Sequence, residues 1–303
     1  MTLKHFHNST TLHTPRLRSN TLYFICMDKK NQDPKPIKPL LVLEAICFTV
    51  WLAGIFFFYL PLPESTVAVS RAAGEENPVD LLSIMLSVIL ALIIFYWLRR
   101  KRAMAPVVAV LFGVVIYNTA VIFIARVVAL LLAVLLVYLE RAYRSFATNN
   151  FLVLAGVFAA AVSFATTFSL NFLLILLVCF SLYDIVGVFF VKAIPRVAKN
   201  AARIGIPLLL MVPKKMKDIF SVPTSDTTAS LLGAGDLFIP LLFLMSVSVR
   251  VGWEIALVSF VGVVLGSLGN IVLVRKIKTG IPAVPLLAIG LAVGYGIGLL
   301  IFG

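Results

Sequence analysis

The chain of 303 residues is 61% hydrophobic and carries 26 Lys and Arg against 13 Asp and Glu, a formal net charge of +13, with a mean hydropathy of +1.06. Soluble domains are about one-quarter charged; here 13% of residues are, which excludes an ordinary soluble fold and leaves room for eight or nine membrane crossings at roughly 20 apolar residues each. The 3 Cys show no Cys-x-x-Cys or pairing pattern, which excludes a disulfide framework.

In chain order, residues 1–39 form a polar, basic arm that lacks the apolar core of a signal peptide and is expected to be disordered. Met27, followed by Asp28, Lys29 and Lys30, reads as an alternative start, so the first 26 residues are assigned no function. Apolar runs follow at 40–60, 79–98, 104–120, 122–139, 151–169, 172–191, 230–249, 252–274 and 282–302, giving nine predicted spans. The third and fourth are separated only by Asn118, Thr119 and Arg126. A tight turn there makes two short helices, whereas one continuous helix would overshoot the bilayer.

Charge sets the expected orientation. Of the 26 Lys and Arg residues, 23 fall in the arm and in the segments 99–103, 140–150, 192–229 and 275–281; Arg71, Arg126 and Arg250 fall at the opposite ends of the spans. Such a bias places the N-terminus in the cytoplasm and the C-terminus outside. Arg99, Arg100, Lys101 and Arg102, wedged between two spans, read as a topology anchor rather than a nucleic-acid patch. The sequon at Asn8 lies on the expected cytoplasmic side and is read as chance. The fold class is thus an all-α membrane protein, a polytopic bundle of nine transmembrane helices. It is divided into the arm 1–39, helices one to six in 40–191, a basic inner loop 192–229, and helices seven to nine in 230–303.

Ionisable side chains within spans are candidates for function. Glu44 and Glu254 lie near predicted helix ends, where a long side chain reaches the interface. Asp184 stands eight residues before Lys192, and Asp236 six residues after Ser230 on the next span. At about 1.5 Å per residue these positions are roughly 12 and 9 Å deep, a matched pair entering from one side. Two carboxyls a few Å apart share one proton, so that one is a base and the other an acid. With a water between them, one takes the water's proton as it attacks a peptide carbonyl and the other hydrogen-bonds the carbonyl oxygen. Proton or cation transport uses such pairs as well, and from the pair alone the two readings are equally supported. Gly233 and Gly235 flank Asp236 and would admit water and a peptide backbone. Gly262-x-x-x-Gly266 and the Gly290, Gly294, Gly298 series read as close-packing devices. Pro282-Ala283-Val284-Pro285 interrupts the start of the ninth span, and irregular backbone in lipid is tolerated where it is covered by protein or lines a water-filled cavity.

Tyr183-Asp184, Gly233-Ala234-Gly235-Asp236 and Pro282-Ala283-Val284, in that order on the sixth, seventh and ninth spans, resemble the Tyr-Asp, Gly-x-Gly-Asp and Pro-Ala-Leu motifs of the presenilin and signal peptide peptidase family of intramembrane aspartyl proteases. The resemblance runs from about residue 40 to the end. It implies that Asp184 and Asp236 are the catalytic pair and that Tyr183, Gly233, Ala234, Gly235, Pro282, Ala283 and Val284 shape the site. It further implies no cofactor or metal, substrates that are transmembrane peptides, and a multi-pass protein of the cell membrane, or of an endomembrane in a eukaryotic host. Lipid is the expected surroundings, a homo-oligomer is compatible, and neither an obligate partner subunit nor nucleic acid is implied. The short chain is most similar to the microbial, archaeal branch, and its expected orientation is that of presenilins. Val284 replaces the family's Leu, a mild change if the motif acts through its backbone. A silent family member and a transporter or channel are the alternative readings.

In the inner loop, Ile206-Pro207-Leu208-Leu209-Leu210-Met211-Val212 is too short to span. It is expected to lie on the membrane surface; the alternative is an edge strand that pairs with an unwound substrate.

Overall fold

The computed structural model describes residues 37–59, 104–190, 206–222, 229–276 and 282–303. The predicted second span, residues 1–36 of the arm, the outer 61–78 segment and the basic residues Lys192, Arg196, Lys199 and Arg203 lie outside them; the last three residues of the expected arm, 37–39, already belong to the first helix. Eight α-helices are present among the described residues: α1 (Ile37–Phe57), α2 (Met104–Ala120), α3 (Arg126–Tyr143), α4 (Phe146–Thr167), α5 (Leu170–Ile185), α6 (Ala234–Arg250), α7 (Trp253–Lys276) and α8 (Val284–Phe302). A π-helical turn, Val186–Phe190, extends α5, and a two-stranded antiparallel sheet pairs β1 (Leu209–Pro213) with β2 (Ala229–Gly233). Among the described residues, five helical segments are long and apolar enough to cross a membrane: α1, α4, α5 with its π turn, α7 and α8; α2 is apolar but shorter.

The ambiguous 104–139 stretch divides at residues 121–125, where a short turn separates α2 from α3. The expected inner loop 140–150 shrinks to Arg144 and Ser145. The Ser145 side chain accepts from the Thr148 amide while Thr148 Oγ1 accepts from the Ser145 amide, a reciprocal cap that starts α4 at Phe146. Asn149 and Asn150, whose polarity suggested a loop, therefore lie inside a helix.

α6 is the central element. Its residues 241–248 are all buried, as expected of a helix that is apolar around its whole circumference, and it packs mainly on α4, α1 and α7 while also touching α5 and α8. Trp51 Nε1 on α1 donates to the Leu237 carbonyl at 3.0 Å. Ser248 Oγ donates to the Ile55 carbonyl and Ser246 Oγ to that of Leu242, so these core hydroxyls keep partners. α7 and α8 form the closest helix pair. A Cβ on Gly294 would lie 2.7 Å from the Val258 carbonyl oxygen, and one on Gly298 2.9 Å from Ile255 Cγ2. Gly262 and Gly290 face each other's backbone still more closely, so the glycine series does serve as a packing seam.

Two expectations are corrected here. The seventh span does not begin as helix at residue 230: Ala229–Gly233 is strand β2, and α6 starts at Ala234. Gly233, with φ −66° and ψ 138°, ends the extended segment and caps the helix, so Asp236 stands in the first turn and the helical depth count from Ser230 does not apply. The apolar 206–212 segment is not a surface-lying stretch either. All five residues of β1 are buried, because the Asn149–Asn150 pair and β2 satisfy its backbone from both sides. Asn149 Nδ2 donates to the Leu209 carbonyl, Asn150 Nδ2 donates to that of Met211, and Asn150 Oδ1 accepts from the Met211 amide, each at 2.8 Å. With its polar edges satisfied, an apolar strand is free to bury.

Candidate active site

On α5 the buried residues are Leu173, Leu177 and Asp184, one stripe of the helix. Among its helical neighbours α5 packs chiefly on α8. Asp184 is 9% exposed, and the Val284 amide donates to its Oδ2 at 3.0 Å. Val284 is the first residue of α8. Its amide is one of those a helix start leaves without an internal partner, and Pro282 before it prevents the helix from extending backward to use it.

Asp236 is the third residue of α6 and is half-buried. Its carboxylate is turned back toward Gly233, the residue that caps the helix, the reach-back position of a carboxylate at this site. Pro240, four residues on, has no amide to give the Asp236 carbonyl. Asp236 lies within electrostatic range of Asp184. The two carboxylates that the sequence singled out thus come together, Asp184 held by the Val284 amide and Asp236 beside the helix cap Gly233.

The remaining motif residues fall around them. Gly235 is exposed, and a Cβ there would meet nothing within 4 Å, whereas one on Gly233 would come within 3.3 Å of Asp236 Oδ2. Ala234 is buried, its amide donating to the Leu208 carbonyl at 2.9 Å. Pro282 and Val284 are buried and Ala283 half-buried. Tyr183 is not turned into this site; its side chain is 62% exposed, on the outward face of α5.

Two features escaped the sequence reading. Glu44 does not reach for the interface: it is half-buried, accepts a hydrogen bond from Ser267 Oγ of α7, and lies within electrostatic range of Asp236. Eight residues into α1, it is too far from the helix start to leave the bundle. Glu254, by contrast, sits in the first turn of α7, at a helix end as expected. Asn270, one turn after Ser267, donates through Nδ2 to the Ala283 carbonyl at 2.9 Å. A search for charged residues passes over Asn and Ser, although uncharged polar residues in apolar spans are the available signal. Among the described residues no group of three or more His, Cys, Asp or Glu is placed to hold a metal ion.

A family model described as signal-peptide peptidase, presenilin aspartyl protease matches residues 72–303. The chain belongs to this family. It is accordingly an intramembrane aspartyl protease, a membrane-embedded hydrolase, which decides between the two chemistries that a carboxylate pair alone left open. Among solved structures, a presenilin family intramembrane aspartate protease superposes with a TM-score of 0.58 at 20% identity, covering 87% of this chain and 99% of that one, a similarity of fold. No curated protein matches the chain significantly.

Proposed function

We propose that Asp184 and Asp236 are the catalytic pair and that they hydrolyse peptide bonds within single-span membrane helices. The observation that carries this reading is their approach across α5 and α6, with the Val284 amide fixing Asp184 and Asp236 set beside the helix cap Gly233. One carboxyl, ionised, takes a proton from a water as the water oxygen bonds to the scissile carbonyl carbon. The other, protonated, donates to the carbonyl oxygen. Collapse of the resulting diol breaks the C–N bond: the leaving nitrogen takes up the proton removed from water, one diol hydroxyl returns its proton to the second carboxylate, and an acid and an amine are released. Asp184→Ala and Asp236→Ala, assayed on a single-span reporter, test the pair directly.

The sheet supports a specific mode of substrate presentation. The Leu208–Ala234 hydrogen bond sets the ladder, so that Leu210 pairs with Leu232 and Val212 with Ser230. Leu231 and Gly233 therefore direct their backbone groups away from β1. Because β1 is closed by Asn149 and Asn150, the edge left open among the described residues is that of β2, which runs into Asp236. A substrate helix that unwinds gains partners there for amides that lipid would leave unpaired. Leu231→Pro removes one outward amide and keeps the Ser230 and Leu232 bonds, a change an edge strand tolerates. We expect thermal stability to stay within a few degrees and cleavage to fall at least about tenfold, one substrate hydrogen bond plus the lost register. Unchanged cleavage by the Leu231 variant would remove β2 from the mechanism.

The four-part division of the chain, its nine helices and its orientation belong to the same reading, with the N-terminus cytoplasmic and the C-terminus outside. Arg250, one of the three basic residues outside the inner segments, is turned back onto the carbonyls of Ala165, Thr166 and Phe168 at the end of α4. Its charge is thus used as a helix C-cap and does not weigh against the bias. In sealed cells, with the native cysteines replaced, Val251→Cys should label with an impermeant reagent from outside and Lys215→Cys only after lysis. The reverse pattern would invert the orientation. We infer a homologue of the microbial type, resident in the cell membrane and active on transmembrane peptides without an obligate partner subunit.

A further inference from the structure

Between Asn270 and Asp184 stands a single peptide unit. The carbonyl of Ala283 accepts from Asn270 Nδ2 at 2.9 Å, and the amide on the other side of the same bond, that of Val284, donates to Asp184 Oδ2 at 3.0 Å. A trans peptide is planar, and its carbonyl and amide point in opposite directions; a side chain that fixes one end fixes the aim of the other. The segment needs such a brace. The Ala283 carbonyl takes only a long first bond of α8, from the Leu287 amide at 3.5 Å, Pro282 contributes no amide, and the Ala283 cap makes no side-chain hydrogen bond of its own. A donor on the carbonyl also polarises the peptide and strengthens the bond made by its amide. Asn270 itself is held on α7, whose glycine seam packs it against α8, so its reference frame is rigid.

From this geometry we propose that Asn270 is a positioning residue for catalysis, acting on Asp184 through the Ala283–Val284 peptide. It belongs to none of the three motifs that carry the family resemblance. The inference rests on the reading of Asp184 as one of the catalytic pair, and it adds a requirement that the pair alone does not make: a hydrogen-bond donor at position 270. A residue of this kind governs how well the transition state is held, and leaves substrate binding nearly unchanged.

Three variants of the full chain, purified in detergent or returned to liposomes, test it on a single-span reporter. Asn270→Leu keeps the volume without a donor, Asn270→Asp keeps the shape but places an acceptor against the Ala283 carbonyl, and Asn270→Gln retains a donor. Rates are taken per molecule able to bind an aspartyl transition-state mimic, which removes any unfolded fraction from the comparison. For Leu and Asp, kcat is expected to fall about tenfold or more, the loss of one hydrogen bond and the misalignment it permits. KM should stay within about twofold, and affinity for the mimic should fall with kcat. Gln should restore at least about a third of the activity. Full kcat in the Leu and Asp variants would overturn the proposal. So would an equal loss in all three that follows thermal stability, the behaviour of a residue that only holds the fold together. Asp184→Ala in the same assay separates the two levels: cleavage by that variant sinks the catalytic pair, whereas its silence beside a fully active Asn270→Leu sinks the positioning role alone.

Discussion

Replacing Asp184 or Asp236 by Ala is expected to abolish cleavage of a single-span reporter while leaving yield and thermal stability close to those of the parent protein. The loss is complete because the two carboxyls do different work at the same moment. One accepts the water's proton as the other polarises the carbonyl, and neither role is supplied by a neighbour in the right place. Glu44 is near Asp236, but its carboxylate is engaged with Ser267. Asn in place of either Asp preserves size and can still hydrogen-bond, but it cannot take the proton, so it should be as inactive as Ala. Stability should not suffer, since each variant removes a costly buried carboxyl, and of the two only Asp184 gives up a hydrogen bond to a backbone amide, that of Val284. Residual activity above a few per cent in either single variant would be incompatible with a two-carboxylate mechanism.

The second large effect concerns the proline motif. Converting Pro282 and Pro285 together to Ala is expected to leave folding intact or slightly improved and to reduce cleavage at least about tenfold, as befits loss of a hydrogen bond to a catalytic carboxylate. With Ala at both positions, α8 is free to extend backward by about a turn. The Val284 amide would then bond the carbonyl four residues earlier and be lost to Asp184, which it now holds. Pro285 at the second position of α8 is comfortable there, so Pro282 carries the effect. Val284→Leu works as the contrasting change. The contact with Asp184 is made by the backbone, for which Val and Leu are equivalent, so activity should stay within about threefold of the parent. Full activity in the double Ala variant would reduce the motif to a helix boundary.

These outcomes depend on features that differ in how visible they are in the sequence. Asp184 and Asp236 are visible because a charge in an apolar run has few uses, and Gly-x-Gly beside one of them has fewer. The eight described helices follow the predicted runs because continuous hydrophobicity over about 20 residues has one common solution in lipid. The sheet was hidden for a related reason. Leu209 to Pro213 is an apolar stretch bounded by prolines, a pattern shared by a surface-lying segment and a buried strand. The choice depends on Asn149 and Asn150, some sixty residues away, capping its far edge. Their amides substitute for a neighbouring strand, which no local pattern announces. Glu44 misled because the distance from a helix end was judged without knowing that Ser267 would face it. Asn270 was overlooked because its partner is a main-chain carbonyl, a group present at every position and thus invisible as a motif.

Cleavage of a single-span reporter by the purified chain in liposomes prepared in heavy-oxygen water tests the central claim most directly, with and without an aspartyl transition-state mimic. Hydrolysis by a water held between Asp184 and Asp236 requires two fragments cut within the apolar span. One heavy oxygen should appear in the new carboxyl terminus, and the mimic should suppress the fragments. Ion flux across the same liposomes with the reporter left intact, or fragments that form equally well when both aspartates are replaced, would contradict it.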